Sequence, residues 1–372
     1  MTFISSVIKN ICKLYHNYYY ICNQKLLVMA VIGIDLGGTK INGAVFDKEG
    51  NRLYQTSYLL GGRKGAEVGR LVTQTISELL QIPVTSAIEA IGICVPGISK
   101  DGLVWAPNIP EWGDIEHFYP LQQEVEDFLT STGDYLNKTQ IFTYNAIDKN
   151  PRESALSAFQ SPSIQIAGDR SCYILGEIWK GAAQGAKDAV FIAVGTGIGM
   201  GILANGRIID GYAGISGAAG WLALDMKYEA DYVQYGCFES NASGNGIARC
   251  AQALLKENVF KDSILKTYPV ESITAHEVFD AWAKNDPLAM QVINKAVQLW
   301  GMAAANVVSL LNPEIIVWGG GVFGPAAQLL NRIYEEACRW AQPIAIKQVR
   351  FEVSQLGGGA GLYGAGRLAM NN

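Results

Sequence analysis

A chain of 372 residues, at roughly 150 per domain, predicts about two domains and enough chain to bury a substantial core. Lys and Arg number 29 against 34 Asp and Glu, a formal net charge of −5, which argues against a nucleic-acid binder with its usual basic surplus. A composition 49% hydrophobic and only 17% charged excludes a disordered chain.

The first 28 residues differ from the rest. They carry Tyr15, Tyr18, Tyr19 and Tyr20, and Lys9, Lys13 and Lys25 interrupt every apolar stretch. A signal peptide needs a charged end, an unbroken apolar centre and a small-residue cleavage site in that order, and this segment lacks them. Residues 1–28 are expected to be an extension, disordered or upstream of the true start, with Met29 an alternative initiator; a membrane-surface helix is the other reading. From Ala30 the pattern becomes regular. Val31–Asp35 reads as a strand ending in Leu36-Gly37-Gly38-Thr39-Lys40, followed by a second strand, Ile41–Phe46. Asp47–Asn51 is turn chemistry, and Leu53–Leu59 completes an antiparallel meander. Val68, Leu71, Val72, Ile76, Leu79 and Leu80 recur at helical spacing. Ile88–Val95 is a buried strand stopped by Pro96-Gly97, and Ile164–Ala167 is another.

The opening pattern returns downstream. Val190–Val194 runs into Gly195-Thr196-Gly197-Ile198-Gly199-Met200-Gly201, then Ile202–Ala204 and Asn205-Gly206. This weak repeat predicts two related α/β halves facing each other. Leu288–Leu311 is an apolar helix stopped by Asn312-Pro313. Glu314–Trp318 is a strand delivering Gly319-Gly320-Gly321, and Val349–Val353 is a last strand before Gly357-Gly358-Gly359 and a terminal helix.

Forty-one glycines exceed the usual level of about 7%, and they cluster at strand ends: 37–38, 195–201 and 319–321. Glycine lets backbone approach a ligand closely, and its exposed amides can bind phosphate oxygens, with Thr39, Thr196 and Lys40 adding donors. Taken singly, each cluster reads as a tight hairpin turn; three at strand ends point to a nucleotide cleft. The P-loop pattern is absent. Gly359–Gly364 matches the dinucleotide fingerprint, but the acidic partner expected about 20 residues later would lie past the end of the chain, so the match is chance. Cys12, Cys22, Cys94, Cys172, Cys237, Cys250 and Cys338 are odd in number and lack framework spacing, as expected of reduced thiols in a cytoplasm. No run of about 20 apolar residues occurs, so no membrane-spanning helix is expected.

Asp35–Lys40, Gly195–Gly201, Asn312-Pro313-Glu314 with Gly319–Gly321, and Gly359–Ala365 together resemble the ROK family over residues 30–368. That family groups ATP-dependent sugar kinases with sugar-responsive repressors. The resemblance implies an α/β chain on the two-domain actin-like ATPase (ribonuclease H-like) fold, mixed sheets flanked by helices, with the active site in the interdomain cleft. The expected division is 29–165 and 166–372, the terminal helix returning to the first domain. The resemblance places ATP phosphates at Gly37, Gly38, Thr39, Lys40, Gly195, Thr196 and Gly197, and adenosine by Gly319, Gly320 and Gly321. Asp35 would stand near Mg²⁺ through water, its alternative role being to cap the hairpin. Counting back seven residues from Gly176-Glu177 lands on Asp169, the implied general base and a sugar contact, its alternative role being a turn residue after the strand.

Several departures accompany this. The family's Asn before the base is Gly168. Arg170, in place of Ala, would pair with Asp169 and lower its pKa. Asn108, in Asn108-Ile109-Pro110-Glu111-Trp112, and Glu239, in Gly236-Cys237-Phe238-Glu239, match sugar contacts, whereas a family Glu has become Ala218 and a family His Trp221. Trp221 would either stack on a sugar face or plug the void. Of the family's zinc ligands only Cys237 remains, with Ala230 and Tyr232 at two cysteine positions, so no zinc is expected. The expected function is ATP- and Mg²⁺-dependent phosphorylation of a hexose or hexose derivative in the cytoplasm by a homodimer, with no nucleic-acid or membrane partner. The competing expectation is a catalytically weak sugar-binding or regulatory protein. A repressor fits less well, because its winged helix needs more than the 34 residues preceding Asp35.

Overall fold

The computed structural model describes residues 30–82, 88–131 and 161–370, so the expected extension over residues 1–28 and the alternative start Met29 lie outside the described residues. An apolar run buried on both faces makes Ala30–Leu36 a central strand (β1), and the turn after it returns the chain as Lys40–Asp47 (β2). Arg52–Leu59 (β3) is largely exposed, as suits an edge. Ala66–Leu80 (α1) buries Val68, Leu71, Val72, Ile76 and Leu79 at helical spacing. Then come Ile88–Val95 (β4), the small hairpin Ile98–Lys100 (β5) and Leu103–Trp105 (β6), a helix over 121–131 (α2), and Ser163–Gly168 (β7). Strand β7 runs without a connecting loop into Asp169–Lys180 (α3). The expected division between residues 165 and 166 falls inside β7.

The second half repeats this pattern. Its strands are Ala189–Val194 (β8), Ile198–Ala204 (β9), Arg207–Ile208 (β10), Ile315–Gly319 (β11) and Arg350–Val353 (β12). The first sheet has the order β3-β2-β1-β4-β7 and the second β10-β9-β8-β11-β12. In both, the first three strands pair antiparallel and the last three parallel. The faint sequence repeat is therefore a repeat of topology. Between β10 and β11 lie Cys237–Ala242 (α4), Gly244–Lys256 (α5), Ala275–Ala283 (α6) and Pro287–Leu311 (α7). Asp286 caps α7 by accepting from the Leu288 and Ala289 amides, and Asn312 ends it in the left-handed conformation with φ 45°. Leu330–Cys338 (α8) packs beside α7, and Ala360–Ala369 (α9) closes the described chain.

The terminal helix α9 fits between the first sheet and α3 by backbone-to-backbone contact. A Cβ on Gly92 of β4 would lie 1.9 Å from the Ala365 carbonyl oxygen, and one on Gly364 would lie 1.8 Å from that of Cys172. Of the glycines that resemble a dinucleotide fingerprint, Gly364 thus serves helix packing, whereas a Cβ on Gly361 would lie 2.6 Å from Asp35 Oδ1. Because this approach admits no extra methyl, Gly92→Ala should destabilise the fold by about 2–3 kcal/mol in denaturant unfolding. Gly358→Ala, whose Cβ would meet nothing within 4 Å, should leave stability near that of the parent.

Candidate active site

Register determines what meets at the ends of the parallel strands. Asp35 of β1 is opposite Cys94 of β4, and Cys94 is opposite Ala167 of β7, two residues before Asp169. The two aspartates therefore emerge from one sheet edge with a single strand between them. Asp169 is half-buried, and desolvation is the main reason its pKa is raised, to about 6. The Arg170 charge and backbone amide oppose the rise, the Asp35 charge adds to it, and the Tyr173 hydroxyl opposes it. Burial also raises the pKa of Asp35, against smaller opposing effects that include Asn42 and Lys40. Asn42 Nδ2 lies 3.5 Å from Asp35 Oδ2.

Arg170 lowers the Asp169 pKa as expected, but burial outweighs it, and the expected side-chain pairing does not form. Its backbone amide donates to Asp169 Oδ1 at 2.8 Å, but its side chain crosses the second sheet instead of turning back to the carboxylate. The stem lies over Gly199, whose Cβ would come within 2.9 Å of Arg170 Cδ, and Nη1 reaches the Ile215 carbonyl at 3.5 Å. Burial therefore outweighs the nearby positive charge. The second glycine cluster is correspondingly divided: 195–197 form a turn, whereas Gly199 and Gly201 lie within β9 and make room for α3.

Glycine turns follow the strands β1 and β8 at matching places in the two halves. The β1–β2 turn at Gly37–Thr39 lies against the Asn108 loop, where a Gly38 Cβ would be 3.4 Å from Asn108 Cβ. Asn108 is exposed there. In the second half, parallel pairing of β8 and β11 brings the turn after β8 beside Gly321; a Gly195 Cβ would sit 4.0 Å from the Gly321 amide nitrogen. Gly319 and Gly320 are already closely packed, against Phe191 and Val194 respectively, whereas Gly321 opens on free space. Thr39, Lys40 and Thr196 are exposed. Glu239, at the start of α4, lies against the β8–β9 turn, where its Oε2 accepts from the Ile198 amide at 2.7 Å. Asn108 and Glu239 thus stand on opposite halves, each against its own glycine turn.

The altered positions are equally specific. A Cβ on Gly168 would lie 2.5 Å from the Gly97 carbonyl oxygen, so this backbone leaves no room for a side chain before Asp169. Trp221 is 56% exposed, which rules out the void-filling alternative. Cys237 is buried, and around it Asn241 joins neighbouring segments. Asn241 donates to the Tyr232 hydroxyl at 3.0 Å and to the Cys237 carbonyl at 2.8 Å, and it accepts from Lys295 at 2.8 Å. Glu177, fully buried, accepts from the Ala182 and Leu356 amides and the Ser354 hydroxyl, tying α3 to the segment after β12. Sequence reading passed over Tyr173, whose hydroxyl donates to Asp169 Oδ2 at 3.4 Å. Its position four residues after Asp169, on a helix, was the available signal.

The chain and its fold have counterparts in known proteins. The model of the ROK family matches residues 31–372. The chain is 31% identical to the glucokinase of Halalkalibacterium halodurans across 91% of this chain and 94% of that one. Its fold is similar to the ROK hexokinase of Thermus thermophilus, with a TM-score of 0.70, 26% identity and coverage of 92% and 98% of the two chains. It is also similar to the Streptomyces griseus ROK glucokinase crystallised with glucose and AMPPNP, with a TM-score of 0.65, 25% identity and coverage of 92% and 100%.

The buried carboxylate has a consequence for stability. Between pH 3.8 and about 6, folded Asp169 holds a proton that the unfolded chain has released, so its contribution to stability falls as pH rises through this window and stays low above it. Without added metal or ligand, Asp169→Asn should stabilise the fold by about 2–3 kcal/mol at pH 8 and by little at pH 4, read by denaturant unfolding. Equal effects at both pH values would contradict a carboxyl perturbed by burial.

Proposed function

This chain belongs to the ROK family, and from that membership we propose that it is an ATP-dependent carbohydrate kinase that phosphorylates a hexose or hexose derivative. The observation that carries the reading is the desolvated Asp169 carboxyl, brought by strand register to the same end of the first sheet as Asp35. Bound MgATP supplies the phosphoryl group and the positive charge that offsets the phosphate oxygens during transfer.

The residues present suit those groups. Gly37, Gly38, Thr39 and Lys40 would hold phosphate oxygens from the first half, and Gly195, Thr196 and Gly197 from the second. Gly321, with the backbone of Gly319 and Gly320 behind it, would border the adenosine. Asp35 offers hard carboxylate oxygens, with Asn42 as one weak partner, and carries the excess negative charge that favours a magnesium ion nearby. Asp169 would accept the proton of the attacking sugar hydroxyl. A pKa of about 6 suits that role: the carboxylate is ionised at neutral pH yet more basic than an ordinary Asp. Asn108 and Glu239 would bind other hydroxyls from opposite sides. The exposed Trp221 face offers a platform where the relatives' polar contacts are missing.

A weak sugar-binding or regulatory protein is the second reading, favoured by the filled position before Asp169 and by Ala218. ADP release from MgATP with glucose, mannose, their N-acetylamino forms, fructose and disaccharides distinguishes the two. The kinase reading expects sugar-dependent release that falls about 10²–10⁴-fold in Asp169→Asn. It also expects kcat/KM to fall as pH drops below about 6, because the base is then protonated. ATP binding without release from any of these sugars would favour the second reading.

A further inference from the structure

Tyr173 belongs to two parts of the molecule at once. Its hydroxyl donates to Asp169 Oδ2, while the Arg170 amide holds Oδ1, so each carboxylate oxygen has its own donor. Its ring belongs to the other half. It packs on the cluster formed by Ile174, Phe191, Ile315 and Val317, and lies 5.4 Å from the Phe191 ring at 44°. The Phe191 ring in turn occupies the space left by the missing side chain of Gly319, where a Cβ would be 2.3 Å from Phe191 Cζ. An unbroken line of contact thus runs from the end of β11, through Phe191 and Tyr173, to the carboxylate. Burial, reinforced by the Asp169 charge, holds the Tyr173 hydroxyl far above the usual phenol range, so it remains a donor at any working pH.

We propose that Tyr173 is a positioning residue for the phosphoryl-transfer step: its hydroxyl sets the rotation of the Asp169 carboxylate, and its ring ties that rotation to the packing of β8 and β11, the strands that carry the second-half glycine turns. The inference rests on Asp169 acting as the base. A carboxylate free to rotate presents its basic lone pair to the acceptor for only part of the time. The Arg170 amide at 2.8 Å anchors Oδ1 and the longer Tyr173 contact at 3.4 Å biases Oδ2, so one orientation is favoured before the acceptor arrives, which lowers the reorganisation needed during transfer. The bulk of Tyr173 is needed as well, because no smaller side chain on α3 would reach both Phe191 and the carboxylate.

The test compares Tyr173→Phe, Phe191→Leu, Asp169→Asn and the double variant Tyr173→Phe/Asp169→Asn, measuring ADP release from MgATP with glucose. If another sugar of the panel is turned over faster by the unmodified protein, that sugar replaces glucose in every arm. Tyr173→Phe keeps the ring and removes one oxygen. It should lower kcat about three- to tenfold while KM for MgATP and for sugar stays within about twofold. Phe191→Leu, which leaves the hydroxyl but removes its support, should show a smaller loss with the same split and keeps the test available if Tyr173→Phe folds poorly. In the Asp169→Asn background, Tyr173→Phe should cost nothing further, because its effect passes through that carboxylate. An unchanged kcat in Tyr173→Phe, a raised KM in place of a lowered kcat, or an additional loss in the double variant would each overturn the proposal while leaving Asp169 as base. Full activity in Asp169→Asn would instead remove the base itself, and the inference with it.

Discussion

Two carboxylates emerging from one sheet edge, with a single strand between them and little solvent around them, are the constraint on which this site depends. Parallel pairing of β1, β4 and β7 leaves Asp35 and Asp169 no means of separating, and burial raises the pKa of both. Such an arrangement weakens the isolated fold and is retained only if the surroundings hold it in place. The surroundings are stiff. The terminal helix lies backbone-on-backbone against β4 and α3, and buried Glu177 ties α3 to the segment after β12. The cost of desolvating these carboxylates is thus carried by packing that a single added methyl would disturb.

Glycine performs two opposite tasks in this chain. Gly92, Gly201, Gly319 and Gly364 are required because protein already fills the space of their side chains. Gly195, Gly321 and Gly358 have little or nothing within reach, so their backbone stays open to a ligand. The two classes alternate within single motifs: in Gly319-Gly320-Gly321 only the last is open. Clusters that look uniform along the chain are therefore divided between glycines that building the fold requires and glycines whose backbone stays open.

The positions where this sequence departs from the family resemblance have specific surroundings. Gly97 and Gly168 approach so closely that no side chain can precede Asp169, and Arg170 runs away over β9. A network centred on Asn241, with Tyr232 and Lys295, surrounds the single remaining cysteine of the zinc module. Trp221, which could have packed inward, presents more than half its surface to solvent.

The sequence by itself determined the strands, the long helix with its stop at Asn312, the doubled α/β pattern and the glycine-bearing strand ends. Each rests on local periodicity or on the backbone demands of Gly, Pro and Asn, which act within a few residues. Family likeness then located Asp35, Asp169, Asn108 and Glu239. Their surroundings could not be read locally. The raised pKa of Asp169 comes from burial by segments distant in the chain, and it outweighs the adjacent Arg170 that had pointed the other way. The hydroxyl of Tyr173, the ring of Phe191 and the empty side of Gly319 meet only because α3, β8 and β11 pack together. Residue types and periodicity are local properties of the chain, whereas solvent exclusion and contact across two sheets exist only in the assembled fold.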